Sequence, residues 1–226
     1  MNSEYGHSGK YVGADGEKYY AWQSAGQDVG GLIDARKFAP YVCETDTVLD
    51  FGCGGGFILK NIRCQRRIGV EINPVARAVA SSKGLVCYED LSHVPDTIAD
   101  VVISNHALEH VPNPIGALKE ILRVLKSGGQ LVLVLPIDDW RTQRRYNSAD
   151  INHHLYTWTP QLIGNTLIES GFLPGDLERI SVLTHAWIPG YVRVFPALPE
   201  CLFDFGCRLF GLLLKRRELV AIARKV

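Results

Sequence analysis

Short apolar runs alternate with stretches of helical spacing through the middle of the chain. Thr47, Val48, Leu49, Asp50 and Phe51 form a run that stops at a glycine cluster, the pattern of a buried strand. Residues 56–64 carry Phe57, Leu59 and Ile62 at helical spacing and end in basic residues, as suits a helix C-terminus. A strand ending in an acid is predicted at 67–72, then a helix at 74–83, opened by Asn73 and Pro74 and stopped by Gly84. Strands follow at 85–88 and 99–104. An amphipathic helix at 115–125 ends at Ser127, Gly128 and Gly129, and a strand at 130–135 ends at Pro136. Strand and helix in alternation build βαβ units, so the fold class is α/β, with a mostly parallel sheet and helices on both faces.

The flanks are less regular. Tyr5, Tyr11, Tyr19, Tyr20 and Trp22 sit among glycine, serine and charged residues, and a helix is expected over 33–41, closed near Pro40. Beyond Pro136, residues 138–158 are polar and aromatic. A helix opens at Thr159 and Pro160 and runs through Ser170 to a cap at Gly171. Two last strands are expected at 177–186 and 218–225, separated by a hydrophobic block at 198–214. The expected organisation is an N-terminal lid or accessory segment, 1–45, and one α/β domain, 46–226, with an insertion at 187–216 before the last strand.

The 226 residues suffice for one large domain. Lysine plus arginine number 24 and aspartate plus glutamate 24. A dedicated duplex binder would carry a basic excess to neutralise phosphates, so nucleic acid is not expected as a partner. Cys43, Cys53, Cys64, Cys87, Cys201 and Cys207 include no C-x-x-C pair and do not cluster with histidines at zinc spacing. They read as small buried hydrophobes in a reducing compartment, and no metal is expected. Residues 1–10 are polar and lack the apolar core of a signal peptide, and no uncharged apolar run reaches the roughly 20 residues of a membrane span. A cytoplasmic location is the expectation.

The sharpest local signal is the segment from Val48 to Gly56, which spells D-x-G-x-G-x-G from Asp50 through Gly52, Gly54 and Gly56. A strand running into closely spaced glycines builds a binding turn, because glycine permits positive φ and lets a ligand touch the backbone. The dinucleotide fingerprint G-x-G-x-x-G would need its third glycine at position 57, which is Phe57. An acid ahead of the first glycine repels a pyrophosphate but suits a cationic ligand.

This segment resembles motif I of class I S-adenosylmethionine-dependent methyltransferases, in their small-molecule, type 11/12-like branch. Four further landmarks match in order: 67–73, ending the second strand at Glu71; the D-x-x-x-L-P-like loop 90–95; the fourth strand, 99–104; and 107–114, from Ala107 through Glu109 and His110 to Pro114. The resemblance implies a Rossmann-like sheet of seven strands with the last antiparallel. It also implies that S-adenosyl-L-methionine lies against Asp50, Gly52, Cys53, Gly54 and Gly56, with Glu71 holding both ribose hydroxyls beside Ile72. Asp90 would accept from the adenine amino group beside Leu91, and Asn105 closes the set.

An oxygen acceptor needs a base, which typically contributes about 10²–10⁴-fold. His106 and His110 follow the fourth strand, while His153 and His154 lie in the variable segment after the fifth; His154, His153 and His110 are the candidate catalytic residues. The H-x-x-E-H match from His106 to His110 reads as accidental, because Pro112 and Pro114 preclude the long helix that motif needs. A metal-dependent O-methyltransferase is disfavoured because no aspartate ends the fourth strand. Arg141, Arg144 and Arg145 suit either a phosphate or carboxylate clamp or a solvated face.

The expected function is methyl transfer to a small-molecule acceptor, a hydroxyl of a sugar or polysaccharide precursor first. The alternatives are a quinone- or polyketide-type aromatic metabolite, and a non-catalytic regulatory protein that binds the cofactor. A monomer or homodimer is expected, without a stable membrane span. The block at 198–214 reads first as core or acceptor-pocket wall, with a dimer interface or peripheral membrane contact by 198–217 as the other reading.

Overall fold

The computed structural model describes residues 5–6, 8–139 and 143–226. Seven strands form one sheet: β1 (Thr47–Phe51), β2 (Arg66–Val70), β3 (Val86–Tyr88), β4 (Ala99–Asn105), β5 (Leu125–Ile137), β6 (Leu177–Thr184) and β7 (Arg217–Arg224). Their order is β3-β2-β1-β4-β5-β7-β6. All neighbours are parallel except β7, which runs antiparallel to both β5 and β6. The antiparallel last strand that the resemblance implies and the α/β layering expected from the pattern are both present.

Seven α-helices accompany the sheet in the described residues: α1 (Gly13–Gln23), α2 (Gln27–Phe38), α3 (Pro74–Ser82), α4 (Pro114–Val124), α5 (Pro160–Glu169), α6 (Tyr191–Val194) and α7 (Glu200–Leu214). Three of them open on side-chain caps that the sequence signals. Asn73 accepts from the Val75 and Ala76 N–H groups, Asn113 from Gly116, and Thr159 from Leu162, each followed by proline. Apolar side chains fill both sides of the sheet. Leu118, Ile121, Ile163, Leu167 and Trp158 pack on one face, and Phe38, Leu59, Ala80 and Ile103 on the other.

Several expectations about local structure fail, among them the strand at 130–135, which extends over Leu125–Ile137, and the helix at 33–41, which is α2 over Gln27–Phe38. The helix predicted at 56–64 is only a 3₁₀ turn, Leu59–Asn61. The Arg67 guanidinium takes the carbonyls of Leu59 and Ile62, ending the turn and sending the chain at once into β2. The block at 198–214 is α7, but it is not core throughout. Phe203, Cys207 and Gly211 are buried, while Leu202, Phe205, Leu209, Leu212 and Leu213 face out. Among the described residues no helix is long and apolar enough to cross a membrane. The cysteines also divide: Cys53 and Cys207 are buried, but Cys43 and Cys201 are exposed. Arg144 and Arg145 are exposed, and Arg141 lies outside the described residues, as do the first four residues and His7 of the polar N-terminal stretch.

Helix α2 reaches the glycine turn through Gly31, where a Cβ would fall on the Phe57 carbonyl carbon and oxygen. Backbone on both sides leaves no flexible atom to yield. Gly31→Ala is therefore expected to destabilise by about 1–3 kcal/mol, as overpacking does. Thermal unfolding measures this, and an unchanged midpoint would show that α2 and the turn part freely.

Candidate functional site

The strand order reverses at β1, which has β2 on one side and β4 on the other. In open α/β sheets the crevice at such a switch point, beyond the carboxyl ends of the strands, is where ligands bind. Asp50 and Phe51 close β1 there, and the chain turns through Gly52 (φ 78°), Gly54 (φ 53°) and Gly56 (φ 74°). A Cβ on Gly52 would collide with the Ala107 methyl, and one on Gly56 with Leu85. At Gly54 the nearest atom to a Cβ is 3.8 Å away, so that peptide faces open space.

Glu71, just past β2, is stitched to this turn. Its Oε2 accepts from Gly54 N–H at 2.8 Å and its Oε1 from Asn73 N–H at 2.7 Å. Burial holds the carboxyl above its ordinary value, an effect that these two N–H groups offset only in part. Asp50 is buried, and its Oδ2 has no hydrogen-bond partner; the same holds for Asn105 Oδ1. Burial, with the neighbouring Glu71 charge, pushes Asp50 up to about 8.

A cavity of about 100 Å³ opens beside the turn, walled by Phe51, Gly52, Glu71, Ile72, His106 and His110 among others. Tyr11, Tyr19 and Gln23 from the N-terminal segment cover it, whereas Trp22 is half exposed. Asn73 anchors this cover by donating to the Gly16 carbonyl at 2.8 Å. Tyr5 reaches deeper. Its hydroxyl accepts from Leu91 N–H at 3.1 Å and lies against Asp90, the two residues that the family resemblance gives to adenine.

The histidines converge on one buried acid. After β4, His106 takes a left-handed conformation (φ 53°), and a 3₁₀ turn, Leu108–His110, brings His110 back toward the same point. His154 arrives from the long connection after β5. His106 Nδ1, His110 Nε2 and His154 Nε2 stand 3.9, 3.7 and 4.0 Å from Glu109 Oε1. On their far sides, His106 Nε2 meets Glu218 at 3.2 Å, His110 Nδ1 meets the Tyr11 hydroxyl at 2.6 Å, and His154 Nδ1 meets Asp138 at 2.8 Å.

Their protonation differs accordingly. Burial works against the His106 and His154 imidazolium forms, but their carboxylate partners outweigh it and hold both above the ordinary value. Burial, then the His154 charge, pulls His110 down to about 3, so it is neutral. Burial pushes Glu109 up. His153 contributes its backbone: its carbonyl accepts from Tyr11 at 3.4 Å, and its ring is not part of the cavity wall. His106, passed over among the candidate catalytic residues, does line it. Its one sequence signal is its place immediately after the strand-ending Asn105.

Residues 49–133 match the family model described as a methyltransferase domain. Over these residues, and in its fold, the chain is similar to class I S-adenosylmethionine-dependent methyltransferases. Over 121 residues it is 34% identical to the probable methyltransferase ltbC of Aspergillus luteorubrus, a match covering 43% of this chain and 42% of that one. Over 112 residues it is 31% identical to the ubiquinone biosynthesis O-methyltransferase of Hahella chejuensis, covering 44% and 45%. The chain thus spans less than half the length of these curated relatives. A SAM-dependent methyltransferase structure from Archaeoglobus fulgidus shares the fold, with TM-score 0.58 and 19% identity over 86% of this chain and 92% of that one.

The site fits S-adenosylmethionine, the cofactor that the resemblance implies. Buried acceptor oxygens of Asp50 and Asn105 lack hydrogen-bond partners, and a ligand with cationic groups satisfies them. The open Gly54 peptide admits close approach, and Glu71 stands where strand and turn meet.

Asp50 also makes a pH prediction. An acid whose folded-state value, about 8, lies above its ordinary 3.8 favours the fold at low pH. That contribution is lost as pH rises from the ordinary value through about 8. Between pH 5 and 8 the ligand-free protein is expected to lose more thermal stability than its Asp50→Asn variant; parallel melting curves would refute a buried, unpaired Asp50.

Proposed function

We propose that this chain transfers a methyl group from S-adenosylmethionine to a hydroxyl of a small molecule. The observation that carries the reading is a cavity lined by Gly52, where the glycine turn begins, and Glu71 together with His106 and His110. When bound, S-adenosylmethionine supplies an electrophilic sulfonium methyl group. Glu71 would hold the ribose, and Asp50 and Asn105 the cationic part of the ligand. Tyr11 and Tyr19 exclude water above the cavity. Holding the two reactants at near-attack distance is worth up to roughly 7–11 kcal/mol in intramolecular systems.

His106 is the residue we assign to take the acceptor's proton. It lines the cavity, and Glu218 fixes its Nε2 while Lys37 in turn holds Glu218 at 2.9 Å. A base oriented by a carboxylate is the arrangement that activates oxygen nucleophiles elsewhere. A sugar or polysaccharide-precursor hydroxyl is the first acceptor proposed. The relatives named for ubiquinone biosynthesis, with the apolar wall of Tyr5, Phe51 and Val111, support a phenolic oxygen as the second.

The test uses S-adenosylmethionine labelled in its methyl group, offered with a panel of nucleotide sugars and a panel of catechols and hydroquinones. Label is expected in one panel, and His106→Asn should lower turnover by about 10²–10⁴-fold. Label in neither panel, from protein that binds S-adenosylhomocysteine, would favour the non-catalytic binding protein.

A further inference from the structure

Glu109 is fully buried, and neither of its carboxylate oxygens has a hydrogen-bond partner. A carboxylate removed from water in this way costs far more than any single contact returns unless a cation compensates it. The imidazoles facing it do not do so as hydrogen-bond donors. Separations of 3.7 and 4.0 Å to His110 Nε2 and His154 Nε2 exceed hydrogen-bond length.

The cluster has the size of a site that closes on one ion. Zinc lies about 2.0–2.1 Å from histidine nitrogen and about 2.0–2.2 Å from carboxylate oxygen, so ligands at the tetrahedral angle stand roughly 3.3–3.5 Å apart, and these side chains draw in by up to about 1 Å when they share it. One ligand atom each from Glu109, His110 and His154 all lie within 4.8 Å of one another. The far sides of both rings are already fixed. His110 Nδ1 meets the Tyr11 hydroxyl, which itself donates to the Asn152 carbonyl at 2.8 Å, and His154 Nδ1 meets Asp138. Metal-bound histidines are held in this way, by an outer partner that orients the ring.

We infer that Glu109, His110 and His154 form a binding site for one divalent first-row metal ion, with a further position open toward the cavity for an acceptor oxygen. Two histidines and one carboxylate with an open position are a recurrent catalytic zinc set and also serve other first-row metals. The sequence reading of H-x-x-E-H as accidental turned on the long helix that Pro112 and Pro114 preclude. The motif instead spans a left-handed His106 and a 3₁₀ turn, which direct Glu109 and His110 to meet His154 from 44 positions further along the chain. His106 Nδ1, 3.9 Å from the same oxygen, stands by on the cavity side.

Only the acceptor's place on the metal rests on the proposed methyl transfer; metal binding itself does not. In that step the hydroxyl proton passes to His106, the oxygen lone pair forms the bond to the methyl carbon, and the carbon–sulfur bond breaks to release neutral S-adenosylhomocysteine.

The test is titration of the chelator-treated full chain with Zn²⁺ against a chromophoric chelator, with Co²⁺ as a visible-absorption probe. One equivalent per chain at submicromolar affinity is expected. Glu109→Gln should lose about 100-fold or more, and Asp138→Asn about 10–100-fold, the usual effect of an outer partner. His93→Ala, an exposed histidine far from the cluster, controls for adventitious binding. Absence of stoichiometric binding by the unaltered chain, or equal binding by the Glu109 variant, overturns the inference. S-adenosylhomocysteine binding, followed separately, distinguishes that outcome from failure of the methyltransferase reading.

Discussion

Glu71→Ala is expected to weaken S-adenosylhomocysteine binding by about 10²–10⁴-fold, because two ribose hydrogen bonds to a carboxylate are worth about 1.5–3 kcal/mol each. Part of that loss is indirect. Glu71 is also the acceptor for the Gly54 and Asn73 N–H groups, so its removal loosens the turn that shapes the cavity. Calorimetric titration separates the two effects when Glu71→Gln is run beside it. Glutamine keeps one carbonyl acceptor and should restore the melting temperature more than the affinity. Binding unchanged in both variants would remove the ribose from this position and with it the proposed placement of the cofactor.

The second large effect is on stability. Lys37 on α2 reaches Asp34 at 3.0 Å and Glu218 on β7 at 2.9 Å, and none of the three is more than one-fifth exposed. Burial works against the ammonium, but the two carboxylates outweigh it and hold Lys37 above its ordinary value. Lys37→Met leaves the two acids facing each other without a cation. A loss of about 3 kcal/mol is expected, the low end for a broken buried pair, or about 6–12 °C in melting temperature for a chain of this size. Adding Glu218→Gln should recover part of it, since the two positions share one network. A single variant that melts with the unaltered protein would show that water already screens the cluster.

The sheet was readable because its strands are short apolar runs cut off by glycine, proline or an acid. Val48 to Phe51 before Gly52 leaves little choice of element, whereas β5 starts at Leu125 and runs past Pro136 to Ile137, because Pro136 and Ile137 still pair with Glu218 and Arg217 of β7. The glycine turn was readable for the same reason: the spacing of Gly52, Gly54 and Gly56 is a backbone requirement written directly into the residue type. Where side chains rather than backbone decide, the sequence was mute. Leu59 and Ile62 are spaced for a helix, yet Arg67, from the next strand, takes their carbonyls. The cluster around Glu109 depends on a positive φ at His106, which no residue type announces, and on a loop that returns His154 to it.

The strand order has a consequence for how the chain folds. β6 pairs with β7 alone, and β7 is also what covers the far edge of β5. Both neighbours are complete before β7 emerges during synthesis, so each waits with an unpaired backbone edge. The waiting edge of β5 belongs to a 13-residue strand rich in buried leucine and valine. Such an edge is a template for pairing with another chain. Docking of residues 217–224 therefore does more than finish the sheet. It covers that waiting edge, and in the same movement it brings Glu218 to Lys37 and His106.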